Sequence, residues 1–388
     1  LPAAHGRQAG RGGVMACAID VGGPAATGRW ERACAAAGDV LVHMPLANQA
    51  RAYGTQIGAD YDFAPMFAEV RAVLEAADLS VCHLEVPLSR DNTDLSGFPL
   101  FSAPRQLAAG LAAAGFDTCS TASNHAVDRG GDGMTSTLDA LDDAGVKHAG
   151  TARSAEEADR PRLYEVADVT VGHVSATYGL NGLALPAGEP WRVDLLDPDH
   201  VRRPAAAARA AGAEFVVASL HWGEEYRHEP TAGQHSLAEI LLADGAVDLI
   251  IGHHAHVLQQ VGRLAGRPVA FGLGNFLSNQ SAACCAAASQ DGVIVRFEVE
   301  EEAPGDFVVT STAAVPTWVD RTAYTIVDVL AALDAPETPA DRRALLEQSL
   351  ARTRDVLTTQ GETVELVPAE PPADPGPLVQ WPPAGVMQ

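Results

Sequence analysis

The chain has 388 residues, long enough for a large core, and 47% of them are hydrophobic, which excludes a disordered protein. Lys and Arg number 26 against 50 Asp and Glu, giving a formal net charge of −24. That charge repels phosphate backbones and argues against a nucleic-acid partner. No stretch approaches the ~18 apolar residues of a membrane span, so no transmembrane segment is predicted. Because the chain opens at Leu1, a signal peptide or lipid anchor upstream stays open.

In chain order, predicted strands and helices alternate as far as residue 256. Residues 1–32 show no sustained period and are predicted to form a flexible or loosely packed arm. Short apolar runs predict strands, and apolar spacings of three and four residues predict helices. The predicted strands run from 33 to Asp39 and over 79–86, 116–121, 215–220 and 247–251, with a hairpin-like pair at 162–166 and 169–176. The predicted helices cover 63–76, 107–114, 134–143, 201–211 and 236–243.

After residue 256 the pattern indicates successive antiparallel strands at 257–264, 269–273, 293–299 and 307–314, then helices around 326–333 and 342–357. This order predicts an α/β fold with mixed sheets. One compact domain over 33–320 is favoured, because no linker-like stretch interrupts it. Residues 321–367 are predicted as a C-terminal helical extension and 368–388 as a proline-rich tail.

The predicted strand at 247–251 is followed at once by Gly252 and by histidines at 253, 254 and 256. In open α/β sheets, ligand sites lie just beyond the carboxyl ends of the strands. His254 and His256 are two residues apart, so an extended chain needs a bend before their side chains converge. Gly252 offers such a bend cheaply. The pattern is typical of a metal site, although a histidine-rich turn at a strand end would look the same.

Five predicted strand ends carry side chains that can bind a metal, and seven of the 13 histidines lie there. These positions are Asp39 with His43, His83 with Glu85, Asn124 with His125, His221, and His253 with His254 and His256. Carboxylate, amide oxygen and imidazole together favour Zn²⁺, Mn²⁺ or Fe²⁺ over Ca²⁺. One four-coordinate ion cannot use so many ligands, whereas two ions sharing a carboxylate can. The sequence therefore predicts two divalent metal ions.

Six motifs resemble the CapA family, which is linked to poly-γ-glutamate capsule synthesis and is similar to calcineurin-type metallophosphoesterases. They are GDVLVH at 38–43, CHLE at 82–85, ASNHAVD at 122–128, LHWGEEY at 220–226, GHHAHV at 252–257 and GLGNF at 272–276. The resemblance covers roughly residues 33–280. It implies a metallophosphoesterase-like α/β/β/α sandwich with mixed sheets, in which the ligands follow the carboxyl ends of strands.

Carried over position by position, the resemblance implies the following metal ligands: Asp39, Glu85, Asn124, His221, His254 and His256. Glu85 takes the place of the bridging carboxylate, and His125 that of the acid that protonates the leaving group. Relatives have Asp-x-His at the first strand, but position 41 is Leu here. His43 therefore either replaces the missing histidine as a metal ligand or supports the ligands without binding the metal. Asp128 either orients His125 or caps a helix.

The remaining candidates are expected either to support the metal ligands from behind or to line the substrate site. They are His83, Trp222, Glu225, Tyr226, His253 and Asn275. His83 stands where many relatives have Asn. For Trp222, packing against the sheet is the stronger interpretation. His253, next to a ligand pair, is expected to be second-layer or structural.

These observations favour a dinuclear metal-dependent hydrolase in which hydroxide attacks a phosphoester or a γ-glutamyl amide. The expected partner is an anionic polymer or phosphoester substrate, with membrane components of a capsule synthase as further candidates. Two alternatives stay open: a non-catalytic accessory protein of capsule polymer synthesis or export, and a generic phosphodiesterase. The resemblance favours an extracytoplasmic or envelope-associated location, with a cytoplasmic one also open.

Overall fold

The computed structural model describes residues 31–166, 168–358 and 364–369. In chain order, the strands of these residues are β1 Glu31–Leu41, β2 Leu79–Leu84, β3 Thr118–Ser120, β4 Lys147–Ala149, β5 Leu163–Val166, β6 Val169–Thr177, β7 Phe215–His221, β8 Leu249–His253, β9 Val261–Leu264, β10 Arg267–Ala270, β11 Asn275–Ser278, β12 Asp291–Ala303, β13 Asp306–Asp320, β14 Thr325–Asp328 and β15 Glu365–Leu366. The α-helices are α1 Met44–Ile57, α2 Arg71–Glu75, α3 Leu107–Ala113, α4 Gly130–Ala144, α5 Ala155–Ala158, α6 Pro198–Ala210, α7 Ala232–Ala243, α8 Val329–Asp334 and α9 Ala340–Thr358.

Two mixed sheets pack face to face between layers of helices. Within the described ranges, the larger sheet has the order β14-β13-β12-β1-β2-β3-β4, with β11 beside β1 and β15 beside β13. The smaller sheet has the order β5-β6-β7-β8-β10-β9. One apolar cluster fills the space between the sheets, a second packs α1 to α4 on the larger sheet, and a third packs α6 and α7 on the smaller one. This is the predicted α/β/β/α sandwich, and the fold class is confirmed.

Strand β1 lies at the centre of the larger sheet, and its small residues suit both faces. Cys34 and Ala36 belong to the cluster between the sheets, whereas Ala35 and Ala37 belong to the cluster under the helices. Successive side chains of a strand point to opposite faces, which explains this alternation. The parallel neighbours β2 and β3 follow, and their facing residues Cys82 and Cys119 are joined by a disulfide bond.

Local sequence explains where several helices begin and end. The Asp197 side chain accepts hydrogen bonds from the main-chain N of Asp199 and His200 and so starts α6, where Pro198 needs no donor. Thr231 and Gln234 form a reciprocal capping box at the start of α7. Helix α4 ends at Gly145, which adopts the left-handed conformation with φ of 78°.

Strands after residue 256 differ from the predicted antiparallel run. β9 and β10 form an antiparallel pair, but β10 is parallel to β8, and β11 is parallel to β1. The run is also divided between the two sheets. Apolar periodicity reports only which residues are buried, so it could not give the direction of pairing. As a result, the exit of β11 joins the edge where β1 and β2 end.

The region after residue 320 contributes strands as well as helices. The predicted helix at 326–333 begins as β14, which pairs with β13, and becomes helical only at Val329. Asp328 causes the change, because its side chain accepts from the main-chain N of Leu330 and Ala331. The predicted arm overlaps β1 at residues 31–32; residues 1–30, and the predicted tail from residue 370, lie outside the described residues. None of the helices in the described ranges is both long and apolar enough to cross a membrane.

An ionic cluster ties helix α6 to the smaller sheet at the start of β8. The buried carboxylate of Asp248 accepts from the main-chain N of Val216 at 2.7 Å and pairs with Arg209 and Arg267. These three partners belong to β7, α6 and β10. Asp248 therefore fixes the start of β8 in the sheet.

Candidate metal centre

Strand ends of both sheets converge on one buried polar cluster. Asp39 lies in β1, while Glu85 follows β2 and Asn124 follows β3. His221 ends β7, and the 253–256 segment begins at the end of β8. The register places Asp39 beside His83 on one side and Asn275 on the other, and His221 beside His253. All of these side chains are buried, so the sheet packing alone brings the predicted residues together.

Asp39 is held by the 253–256 segment. His253 Nδ1 donates to its Oδ1 at 3.2 Å, His256 Nδ1 donates to its Oδ2 at 3.0 Å, and the main-chain N of His254 donates to Oδ2 at 3.2 Å. Burial alone would raise the pKa of Asp39, but the bonds from His253 and His256 keep it well below its usual value. The carboxylate is therefore ionised and fixed in orientation.

The carboxylate of Glu85 is buried without hydrogen bonds from the described part of the chain. Neither of its carboxylate oxygens has a hydrogen-bond partner among the described residues, and its exposed fraction is 1%. The Nε2 of His256 lies 3.6 Å from Oε1 of Glu85. Burial and the charge of Asp39 raise the pKa of Glu85 to about 7, against the opposing effect of His256. Glu85 and Asp39 in turn raise the pKa of His256 to about 9, although burial would lower it.

His221 and Asn124 meet on the other side of the cluster. His221 Nε2 lies 3.0 Å from Asn124 Oδ1, and His221 Nδ1 lies 2.9 Å from His83 Nε2. His83 Nδ1 is 2.7 Å from Ser120 Oγ, so these groups form one buried chain. When His221 Nδ1 donates to His83 and His83 Nδ1 donates to Ser120, His221 Nε2 carries no proton. Its lone pair, next to Asn124, is then available to a metal. Burial and neighbouring histidines hold the pKa of His83 and His221 well below its usual range, so both rings are neutral near pH 7.

Three groups of side chains have ligand atoms within 4.8 Å of one another in the described part of the chain. They are Asp39 with Glu85 and His256, Glu225 with His254 and His256, and Asp39 with His83 and His253. Both nitrogens of His83 are engaged in the buried chain, which argues against His83 as a ligand. By contrast, Glu85 has two unpartnered oxygens and His254 an unpartnered, buried Nδ1. Carboxylate and imidazole atoms of this kind fit divalent transition metals.

The 252–257 segment bends at its histidines. His254 and His256 adopt left-handed backbone conformations, with φ of 90° and 55°. The sequence predicted the bend at Gly252, but that residue serves close packing instead. A Cβ there would lie 1.9 Å from the carbonyl oxygen of Phe271 and 2.6 Å from Nε1 of Trp222. Left-handed backbone at a histidine is costly and persists where surrounding contacts enforce it, as the bonds to Asp39 do here.

His125 is oriented by Asp128. Its Nδ1 donates to Asp128 Oδ2 at 2.8 Å, and the main-chain N of Phe101 donates to the same oxygen at 2.7 Å. Helix α4 starts at Gly130 with Arg129 as its cap, so Asp128 is not the cap residue. His125 Nε2 points away from Asp128 and lies 3.4 Å from Asn181 Nδ2. This nitrogen is the one that can exchange a proton with a substrate.

The other predicted residues lie beneath the site, beside its ligands or at its rim. Trp222 is buried in the apolar cluster of the smaller sheet and donates to the carbonyl oxygen of Phe271 at 2.9 Å, so it packs beneath the site. Asn275 lies 3.1 Å from His256 Nδ1 through its Oδ1 and supports that ring. Tyr226 lies at the rim, its ring 6.1 Å from that of His256. Glu225 is exposed, although its carboxylate reaches the histidine pair.

His43 belongs to none of the three groups found among the described residues. Its Nδ1 donates to the carbonyl oxygen of Leu41 at 3.0 Å, and its ring lies edge-on to Phe101, with centroids 5.2 Å apart. The Leu41 side chain points into the core. Burial lowers the pKa of His43 to about 4, so its ring is neutral near pH 7.

Two site residues were missed because β6 was interpreted only as half of a hairpin. β6 pairs with β5 antiparallel, as expected, but it is also parallel to β7. Its exit therefore delivers Tyr178 and Asn181 to the same edge. The Tyr178 ring lies 4.5 Å from that of His254, and Asn181 contacts His125. The sequence signal was present as Gly and Asn residues directly after an apolar run.

Comparison with known proteins identifies relatives. A family model described as bacterial capsule synthesis protein PGA_cap matches residues 33–280. The chain is 29% identical over 197 residues to the PGA biosynthesis protein CapA of Bacillus subtilis (strain 168), covering 50% of each chain. It is 26% identical over 271 residues to the capsule biosynthesis protein CapA of Bacillus anthracis, covering 68% of this chain and 63% of that protein. The matches thus span 50% to 63% of these relatives' lengths.

Among solved structures, a calcineurin-like phosphoesterase from Bacillus subtilis is similar with a TM-score of 0.42 and 12% identity. The alignment covers 84% of this chain and 98% of that chain.

Proposed function

The chain belongs to the bacterial capsule synthesis protein family PGA_cap, and on that premise we propose that it is a hydrolase dependent on two divalent metal ions. Mn²⁺, Zn²⁺ and Fe²⁺ are the candidate ions. The observation that carries the proposal is Glu85, whose two buried oxygens have no hydrogen-bond partner among the described residues and whose ion pair with His256 is long, at 3.6 Å. Burying a carboxylate without hydrogen bonds is costly, so a bound cation is the expected partner.

The chain offers ligands for each ion. Asp39, Glu85 and His256 would hold one ion, and Glu85 with Asn124, His221 and His254 would hold the other. Bound ions of this kind activate water and stabilise negative charge that develops on a substrate. Glu225 is a candidate for an additional ligand, since its carboxylate lies near His254 and His256.

His125 has the geometry of a general acid. Asp128 holds its Nδ1, so a proton on Nε2 can pass to the oxygen or nitrogen of a departing group. Phe101 fixes Asp128 through its main-chain N and lies edge-on to the His125 ring at 4.7 Å, which limits rotation of the imidazole. Asn181 is close enough to Nε2 to position the ring or the leaving group.

The proposed substrate is a phosphoester or a γ-glutamyl amide within poly-γ-glutamate or capsule metabolism. Family membership and the names of the Bacillus relatives support this choice. Membrane components of a capsule synthase are proposed partners, and an extracytoplasmic or envelope-associated location is proposed on the same resemblance. Fractionation of cells that express the natural gene tests the location.

Elemental analysis and turnover test the function. We expect about two transition-metal ions per chain after chelator-free purification, and hydrolysis of either bis(p-nitrophenyl) phosphate or a γ-glutamyl amide. His254→Gln should lose metal and activity, whereas His200→Gln, an exposed histidine at the start of α6, should lose neither. No metal after purification, and none taken up from added Mn²⁺ or Zn²⁺, would refute the proposal.

The same assays separate the two alternatives. Metal without turnover of either substrate would favour a non-catalytic accessory protein. Rapid cleavage of the aryl phosphodiester alone would favour a generic phosphodiesterase.

A further inference from the structure

The turn between β13 and β14, residues 321–324, carries a cation without a carboxylate partner. Arg321 is half-buried, and its guanidinium donates to Ser281 Oγ at 2.9 Å and to Asn279 Oδ1 at 3.1 Å, both neutral oxygens. Among the described residues, no carboxylate oxygen lies within ion-pair distance of it. The adjacent Asp320 instead pairs with Arg342 at 3.4 Å.

Contacts place this guanidinium on the His125 side of the metal centre. Asn279, which accepts from Arg321, has its main-chain N 3.5 Å from His43 Nδ1. The His43 ring lies edge-on to Phe101, and Phe101 lies edge-on to His125. The charge of Arg321 also contributes, after burial, to the lowered pKa of His43. Asn279, His43 and Phe101 thus form a path of contacts from Arg321 to His125.

The turn is held in place from three directions. Tyr53 of α1 donates to the carbonyl oxygen of Ala323 at 2.8 Å, and Tyr324 donates to Asn279 Oδ1 at 2.6 Å. Asp320 accepts from the main-chain N of Thr322 at 2.9 Å. Tyr324 has a left-handed backbone with φ of 53°, a conformation that persists in a bulky residue only where neighbours enforce it. Arg321 is therefore presented in a fixed position.

We propose that Arg321 binds an anionic group of the substrate that lies away from the scissile bond, on the His43 side of the site. This inference rests on the proposed function and narrows it to substrates with a second anionic group, a carboxylate or a phosphate. The Nε of Arg321 is buried, but Nη1 and Nη2 each make one bond, to Ser281 and Asn279, and each keeps a second N–H for a forked contact with such a group.

The charge of the whole chain favours a local cation for an anionic substrate. At a net charge of −24, the protein repels a polyanion at long range. Several arginines of the described ranges are already paired with carboxylates, such as Arg105 with Asp143 and Arg153 with Glu157. Arg321 lies outside the 33–280 segment that the family model matches, whereas its partner Asn279 lies inside it.

Isothermal titration calorimetry tests both kinds of anion. Short γ-linked glutamate peptides represent a carboxylate group, and inorganic phosphate represents a phosphate group. Arg321→Gln should weaken binding of the matching anion by about 10- to 100-fold, the change expected when charge-assisted hydrogen bonds are lost. Arg321→Lys keeps the charge and should weaken it less. Arg71→Gln, an exposed arginine paired with Glu75, is the control and should bind like wild type. Peptides whose carboxylates are amidated should not distinguish the variants.

Metal content separates this inference from the proposed function. Arg321→Gln should retain its metal, which also reports that it is folded, and should show a raised KM with little change in kcat. Equal binding of both anions by wild type and Arg321→Gln, or binding by neither protein, overturns the role of Arg321 even if the protein binds metal and hydrolyses substrates. A difference confined to one anion identifies that anion and supports the role. Absence of metal refutes the proposed function, whereas the binding comparison still decides the role of Arg321.

Discussion

Glu85→Gln should stabilise the metal-free protein and abolish its stabilisation by metal. In the unfolded chain this carboxyl ionises near its usual pKa of 4.5, but in the folded, metal-free protein its pKa is raised to about 7. The folded state therefore binds the extra proton between these values, so stability falls as pH rises from 4.5 to 7 and stays reduced above. The difference corresponds to about 3 kcal/mol at pH 8.

Glutamine is uncharged throughout this range and escapes that cost. Its amide still lacks partners, and His256 loses its neighbouring carboxylate at 3.6 Å, so part of the gain is cancelled. We expect the free energy of unfolding at pH 8 in EDTA to rise by about 1–3 kcal/mol, measured by guanidinium denaturation. With Mn²⁺ at 100 times its Kd, the wild type should gain about 2.7 kcal/mol and the variant much less.

Glu302→Gln is the matched control, since Glu302 is an exposed residue of β12. It should change the free energy of unfolding by less than about 0.5 kcal/mol with or without metal. Two results would contradict a metal-binding role for Glu85. One is that Glu85→Gln destabilises the metal-free protein at pH 8, and the other is that metal stabilises the wild type and Glu85→Gln equally.

His125→Ala should retain its metal and lose about 10²–10⁴-fold in kcat on an alkyl ester or amide, but less on a nitrophenyl ester, whose leaving group needs little protonation; unchanged turnover on the alkyl ester would exclude the acid role. His83→Phe keeps a stacked ring but leaves His221 Nδ1 without a partner, so metal affinity measured by chelator competition should fall about 10- to 100-fold, and His83→Asn should restore part of it. Equal affinities of all three proteins would show that His83 does not position His221. Asp248→Asn removes the partner of two arginines and should lower the free energy of unfolding by about 2 kcal/mol without changing the metal content of the folded protein; a smaller change would make that cluster a surface feature.

The sequence predicted the alternating part of the fold well because burial there follows simple periods. β2, β7 and β8 are buried along their whole length and read as continuous apolar runs bounded by turns. The region after residue 256 was harder, because β10 and β11 pair in parallel with strands far earlier in the chain. Pairing direction depends on how distant segments meet, and no local period encodes it. β14 differs from the predicted helix for a related reason: it pairs with β13, and Ile326 and Val327 are buried in two different apolar clusters, as successive residues of a strand are.

For the site, the positions of polar residues at strand ends were enough to predict that Asp39, Glu85, Asn124, His221 and the 253–256 histidines lie together. The same reasoning could not find Tyr178 and Asn181, whose strand was assigned to a hairpin alone. Nor could it find the chain from Ser120 through His83 to His221, because hydrogen bonds between strands of two sheets depend on how the sheets pack. The bend at His254 and His256 was misplaced to Gly252, since a glycine permits both a turn and a close approach.

The separation between the sheets determines whether the proposed centre can exist. Asp39 and Glu85 come from the larger sheet, whereas His221, His254 and His256 come from the smaller one. The Asp39–His253 distance of 3.2 Å spans this interface, and the side chains that face it from β1 include the small residues Cys34 and Ala36. Larger side chains at those positions would move the sheets apart, because cores do not absorb added volume without backbone shifts. The small residues of β1 therefore help to bring the carboxylates of one sheet to the histidines of the other.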